Sequence, residues 1–293
     1  MNLVVGATGL VGGEVCRLLA AAGKPVRALV RPTAEPAKVT NLAGLGIEIA
    51  EGDLRDRASL ERACRGVTAV ITTASATPPA WHPPENTLET VDLDGQISLI
   101  DAARAAGVAH VIYVSFTMDA DFPLRNAKRS VEQHLKQSGL TYTILRPSYF
   151  MEAWLSPLVG FDFPHARATI YGQGHNPISW ISLYDVVRFA VACIDHSAAR
   201  NTTLELGGPE ALSPLDVIRL FEEIGGRPFE VQHVPEAALR AQLAGAADAL
   251  QQSFAGLMLC YAAGDPIDMR ATLQAVPLQL TSIQDYARRV LTT

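Results

Sequence analysis

The first dozen residues constrain this chain most. Asn2-Leu3-Val4-Val5 is a short apolar stretch with β-branched residues. Gly6-Ala7-Thr8-Gly9-Leu10-Val11-Gly12 follows directly, and residues 14–20 read as a helix. A strand, a glycine-rich turn and a helix in that order form the phosphate-binding end of a dinucleotide fold. Each glycine there has its own physical task. Gly6 turns the chain sharply off the strand, Gly9 lets a diphosphate approach the backbone, and Gly12 lets the helix pack closely on the strand. The helix start offers unpaired N–H groups and a positive dipole end to an anion.

The rest of the first half repeats the rhythm. Short β-branched runs at 25–30, 47–50, 68–72, 111–114 and 142–145 read as strands. They alternate with helical stretches near 57–64, 90–106 and 125–138, with Asp56 placed to cap the first. That alternation predicts an α/β protein whose doubly wound parallel sheet is covered on both faces. The rhythm breaks after Pro147, where aromatics and prolines accumulate up to Trp180. Residues 183–194 form an amphipathic helical pattern, 203–206 a seventh strand rejoining the sheet, and Ser213 caps a further helix. Beyond it the chain is expected to be mostly helical, with the Ala-rich stretch 236–250 read as helix in preference to a flexible lid. The predicted organisation is a nucleotide-binding domain over 1–150, rejoined by 181–208, and a smaller lobe from 151–180 and 209–293.

Apolar residues make up 48% of the 293 and charged residues 18%, which suits a globular protein with a sizeable core. The formal charge of −6 argues against a general binder of nucleic acid or acidic membranes. Cys16, Cys64, Cys193 and Cys260 lie far apart in helical stretches, with no CxxC pair, and read as reduced core residues; no metal-ligand spacing occurs. No apolar run is long enough to span a bilayer. With a strand beginning at residue 2 and a phosphate turn that must be retained, no signal peptide is expected, and the expected compartment is the cytoplasm.

Ligands of open parallel sheets bind beyond the carboxyl ends of the strands. The predicted cofactor contacts are Gly6, Thr8, Gly9, Leu10, Val11 and Gly12 in the turn, Arg31 after the second strand, Asp53 and Leu54 after the third, and Thr73, Ala74 and Ser75 after the fourth. Arg31 stands nineteen positions beyond Gly12, where an NAD site usually carries an acidic residue for the ribose 2′-hydroxyl. A guanidinium there pairs with a 2′-phosphate, which predicts NADPH bound at least about tenfold more tightly than NADH. Asp53 is a candidate acceptor for the adenine amino group.

In these motifs the chain resembles an atypical short-chain dehydrogenase/reductase of the NmrA-like group. The resemblance is carried by the glycine turn, Val30-Arg31, Gly52-Asp53-Leu54, Ala102-Ala103 with Ala106-Gly107-Val108, and Tyr113-Val114-Ser115. It continues through Lys128, Glu132, residues 142–147 and Ile181-Ser182-Leu183-Tyr184-Asp185-Val186, covering about residues 1–235 in order. The resemblance implies a Rossmann fold with a small C-terminal lobe, and NADP(H) as cofactor. The group includes reductases of quinones, dyes and plant phenolics, and members that bind NAD(P) without known turnover. Short-chain dehydrogenases commonly place a Tyr four residues before a Lys, with a Ser upstream. Here Lys128 and Ser115 are present, but position 124 is Leu, which cannot donate a proton. In relatives acting on phenolic ethers the Lys itself is assigned proton transfer. Two roles are therefore open to Lys128: acid/base, or a grip on the nicotinamide ribose. Tyr149 is a candidate nicotinamide neighbour or proton donor. Trp81, His82, Phe116, Phe150, Trp154 and Trp180 are candidate pocket residues. The expected function is an NADP(H)-dependent reductase of a small apolar or aromatic acceptor, acting as monomer or homodimer. The alternative is a non-catalytic NADP(H) sensor or assembly factor.

Overall fold

The structure, a computed structural model, describes residues 1–77 and 85–292. In chain order the first elements are β1 (Asn2–Val5), α1 (Leu10–Ala21), β2 (Val26–Val30), α2 (Pro36–Gly44), β3 (Glu48–Glu51), α3 (Arg57–Ala63) and β4 (Ala69–Thr72). Then come α4 (Asp94–Ala105), β5 (His110–Val114), α5 (Pro123–Gln137), β6 (Thr141–Pro147), α6 (Met151–Trp154), β7 (Phe161–Asp162), β8 (Arg167–Tyr171) and α7 (Leu183–Ala192). The chain ends through β9 (Thr202–Leu206), α8 (Pro214–Gly225), β10 (Glu230–Val234), α9 (Glu236–Ala244), α10 (Ala249–Ala263), α11 (Arg270–Ala275) and α12 (Ile283–Leu291). These elements divide into two compact units, one of Met1–Ser115, Asn126–Arg146 and Val186–Leu204, the other of the remaining residues.

The first unit is built on a seven-stranded sheet in the order β3-β2-β1-β4-β5-β6-β9. Neighbours from β3 to β6 run parallel. Strand order reverses between β1 and β4, the switch point beyond which ligands of such sheets bind. Both strands are buried along their whole length, which explains their unbroken apolar sequence. Leu3, Val5, Val70, Val111 and Ile144 meet Leu60, Leu99 and Val131 from the helices in one core. Asp56 caps α3 as expected, accepting from the Ala58 N–H.

The second unit holds a three-stranded sheet, β10-β8-β7, and an aromatic cluster centred on Tyr261. Ser213 starts α8 with a reciprocal capping box to Asp216.

Several elements differ from the sequence reading, β7 and β8 among them, since no strand was expected between Pro147 and Trp180. The stretch after Arg31, where no element was expected, contains α2, started by Pro36 at its first turn. The helix expected over 90–106 opens as a π-helical turn over Leu88–Leu93 before regular α4. The region after 213, expected as mostly helix, contributes β10 to the small sheet. Its residues are largely exposed, so no clean alternation marks it. The Ala-rich stretch is two helices: α9 closes at Gly245, and Asp248 caps α10 through the Gln251 N–H. All four thiols are free. Cys64 and Cys193 lie at or just beyond helix ends, not inside helices, and Cys260 is only half-buried. Burial pushes the thiols of Cys16 and Cys193 up to about 12 and that of Cys64 to about 11.

Candidate active site

The glycine turn sits at the end of β1. Gly6 has φ +85°, and Gly9 precedes the first turn of α1 in an extended conformation. The end of β4 packs directly on this turn. A Cβ on Gly6 would meet the Thr73 hydroxyl at 2.7 Å and the Ala74 nitrogen at 2.8 Å; one on Gly12 would meet the Gly6 carbonyl oxygen at 2.2 Å. Gly9 is different, with only the Gly6 oxygen at 3.2 Å. Gly6 and Gly12 are thus demanded by the fold, whereas a Cβ on Gly9 would only press on the Gly6 oxygen, a milder crowding. No side chain caps α1, and its first turn carries no acidic residue. The N–H groups of Leu10, Val11 and Gly12 are therefore left to an anion. Leu10 itself is 64% exposed.

Thr73 donates its hydroxyl to the Val5 carbonyl at 3.2 Å, and the Ser75 and Thr77 hydroxyls meet at 3.2 Å. Helix α4 and the π-helical turn before it hold this segment from below. Gln96 donates to the Ala74 carbonyl at 3.0 Å and accepts from Thr72 at 2.9 Å, while Asp92 accepts from the Ala76 N–H at 2.8 Å. Leu54 is buried against Gly95, where a Cβ would stand 2.8 Å from its own Cβ. Gly95, Gln96 and Asp92 escaped the sequence reading because the glycine and the polar residues looked like ordinary helix-start chemistry.

Arg31 and Glu51 follow adjacent strand ends and line one cavity of about 320 Å³ with Val30, Ala34, Thr40 and Ile49. Among the described residues the Arg31 side chain makes no hydrogen bond or ion pair, though its charge helps to hold the Asp53 carboxyl down. Asp53 is differently placed: the Arg55 guanidinium donates to both its carboxylate oxygens at 2.9 Å. That hydrogen bond, against partial burial, holds Asp53 below the usual carboxylate range.

Lys128, on α5, is buried. Its ammonium lies 3.3 Å from Asp92 Oδ1 as an ion pair, without the geometry of a hydrogen bond, and 5.5 Å from the centroid of the Tyr113 ring. Asp92 is completely buried, and the Tyr113 hydroxyl is buried with no partner among the described residues. Ser115 donates its hydroxyl to Glu132 at 2.6 Å, and Glu132 also accepts from Arg129 at 2.8 Å and Arg146 at 3.0 Å. Burial of Glu132 works to raise its carboxyl, but these donors outweigh it and leave the group below the usual range.

The remaining candidates belong to the second unit. Tyr149 is fully buried among Trp154, Trp180 and Tyr261, and its hydroxyl donates to the Leu257 carbonyl at 3.3 Å. Burial raises its phenol well above the ordinary value. Trp180 is fully buried with its indole N–H on the Leu212 carbonyl, and Phe116 stacks on Phe122 at 6.0 Å. Phe150 and Trp154 are half-buried. Trp81 and His82 lie outside the described residues. No group of three or more metal-binding side chains occurs among the described residues. None of their helices is long and apolar enough to cross a membrane.

A parallel sheet with a glycine turn at its switch point, a bare helix start above it and an unpaired guanidinium one strand away defines a Rossmann-type nucleotide-binding protein. The chain belongs to the NmrA-like family, which matches residues 2–287. It is 33% identical over 247 residues, 83% of its length and 80% of the relative's, to (4-alkanoyl-5-oxo-2,5-dihydrofuran-3-yl)methyl phosphate reductase of Streptomyces griseus. It is 30% identical over 246 residues to the photosystem II assembly factor Ycf39 of a Synechocystis species, covering 81% of this chain and 72% of that one. Its fold is similar to that of an NADPH-dependent quinone oxidoreductase from Escherichia coli crystallised with NADPH. The TM-score is 0.79 at 23% identity, over 99% of both chains.

Proposed function

We propose that the protein is an NADP(H)-dependent reductase of a small apolar or aromatic acceptor such as a quinone, enone or phenolic. The observation that carries the cofactor is the glycine turn leading into a helix start with no side-chain cap and no acidic residue, in the same unit as Arg31, whose side chain has no hydrogen bond or ion pair among the described residues. The residues fit a dinucleotide: the turn N–H groups and Gly9 take the diphosphate, Arg31 the 2′-phosphate, and Thr73, Ala74 and Ser75 line the crevice beyond β4. NADPH, when bound, supplies hydride.

Lys128 is the group in the first unit suited to hold and deliver a proton, at Nζ. Asp92 and the Tyr113 ring fix where that ammonium stands. Ser115 donates its hydroxyl to Glu132 and already accepts from Arg129 at 3.3 Å, so it has no proton to offer and could only accept once more. Tyr149 keeps its proton on Leu257 inside the aromatic cluster, so we assign it to the lobe's core and give proton delivery to Lys128. Phe150 and Trp154 retain exposed surface within the second unit. The same reading has a monomer or homodimer in the cytoplasm, with a small-molecule substrate and no nucleic acid or membrane partner, supported by the charge of −6.

The second reading is a non-catalytic NADP(H) sensor or assembly factor. It is favoured by Leu124, which removes the usual proton-donating Tyr, and by the assembly-factor relative. NADPH oxidation followed against a panel of quinones, enones and azo dyes separates the two. Turnover of at least one class is the expected result. Tight NADPH binding with no turnover on any of them would replace the enzyme by the sensor.

A further inference from the structure

We propose that Glu51 sets the balance between the two nicotinamide cofactors. It acts as an unneutralised carboxylate that weakens the hold of Arg31 on a 2′-phosphate and offers an acceptor to a free ribose 2′-hydroxyl. The inference rests on the NADP(H) reading above. It starts from register. β2 and β3 are parallel neighbours with Val30 opposite Glu51, so Arg31 leaves its strand one residue beyond the Glu51 level. Adjacent strands lie about 4.8 Å apart. Both side chains line the 320 Å³ cavity.

The other charges around this cavity are already paired. Asp53 is held by Arg55 at 2.9 Å, Arg55 also reaches Glu85 at 3.8 Å, and Glu35 meets Lys38 at 3.5 Å. Glu51, like Arg31, makes no side-chain hydrogen bond or ion pair among the described residues, and the two do not pair with each other. Among the described residues the cavity therefore presents a cation and an anion whose side chains have no hydrogen-bonding or ion-pair partner, with Asp53 as a further carboxylate that feels the Arg31 charge. A phosphate dianion entering it gains hydrogen bonds from the guanidinium, but Glu51 cancels much of the attractive field. A ribose diol carries no charge to repel, and its hydroxyls can donate to Glu51 as they do to the acidic residue of an NAD site. Arg31 alone would favour NADPH at least about tenfold. With Glu51 opposite, the preference falls below that, and NADH is an effective second cofactor.

The test is direct titration of the purified protein with NADPH and with NADH, for the unmutated chain, Glu51→Gln and Glu51→Lys, at low and high salt. Glu51 is exposed, so neither substitution disturbs the core. Glu51→Gln is expected to tighten NADPH about five- to tenfold and leave NADH unchanged or weaker. Glu51→Lys goes further in the same direction, and both gains shrink at high salt because they are electrostatic. A cofactor ratio that stays within twofold in both variants overturns the role of Glu51 while leaving the NADP(H) reading intact. Failure of the unmutated protein to bind either cofactor overturns both.

Discussion

Lowering the pH should weaken the fold through His110, and the size of the effect follows from its surroundings. His110 begins β5 and is 6% exposed. Its Nε2 lies 2.9 Å from the Thr143 hydroxyl, and that hydroxyl donates to the Ala199 carbonyl at 2.7 Å. Thr143 has one proton to give, so it accepts from His110, which fixes the Nε2–H tautomer. Nδ1 is buried without a partner among the described residues, so a second proton would sit there unsatisfied. Burial first, and then the charge of Arg200, pull the imidazole down to about 4. An unfolded histidine titrates near about 6.5. Because the folded value is the lower one, the unfolded chain binds more protons as pH falls. Stability is full above about pH 6.5 and is lost progressively toward about pH 4. Linkage between those two values gives a loss of about 2 kcal/mol on going from about pH 7.5 to about pH 5. Carboxylates held low, such as Glu132, contribute stability above about pH 4.3 and lose it at more acid pH, so they act mainly outside this window. Urea unfolding at several pH values, for the protein and for His110→Leu, isolates the histidine. The unmutated chain should lose about 2 kcal/mol more than the variant over that interval. Parallel losses in the two proteins would refute the reasoning.

Further outcomes concern the lysine pair, the glycine turn and the Glu132 cluster. Lys128→Met should cut turnover ~100-fold or more with NADPH still bound if Lys128 delivers the proton, whereas weakened NADPH binding would assign it to the ribose. Asp92→Asn strands a buried ammonium and should cost about 3–5 kcal/mol in thermal or urea unfolding. The pair with Lys128→Met should recover part of that loss, and strict additivity would deny the coupling. Gly12→Ala, whose Cβ would lie 2.2 Å from backbone, should destabilise the fold by on the order of 3 kcal/mol. Gly9→Val should fold with a smaller penalty yet fail to titrate with NADPH; retained binding would show that Gly9 serves only the turn. Glu132→Gln leaves Arg129 and Arg146 facing a neutral amide and should lower the unfolding midpoint markedly; an unchanged midpoint would mean the cluster adds no stability.

Much of the first unit was legible in the chain itself. Its strands are buried on both faces, so each appears as an unbroken apolar run, and the glycine turn has its chemistry in consecutive residues. The caps at Asp56 and Ser213 are equally local, since a side chain reaches only a few residues along its own helix. The place of Arg31 just beyond the second strand was legible too, since that strand is a short apolar run that ends at Val30.

Tertiary structure alone decided the partnerships. Nothing in the spacing of Asp92 and Lys128 marks them as a buried pair, because the contact joins the π-helical turn to α5. Ser115 stands where such reductases place a Ser, but only the fold brings it to Glu132, to which it donates its hydroxyl. Tyr149 read as a candidate at a strand end, but burial is a property of what surrounds a residue, and the ring sits among Trp154, Trp180 and Tyr261. Glu51 carries no local signal of a role in the chain itself. Only the parallel register of β2 and β3 sets it beside Arg31, because strand pairing joins residues far apart in sequence whose joint charge no local pattern records.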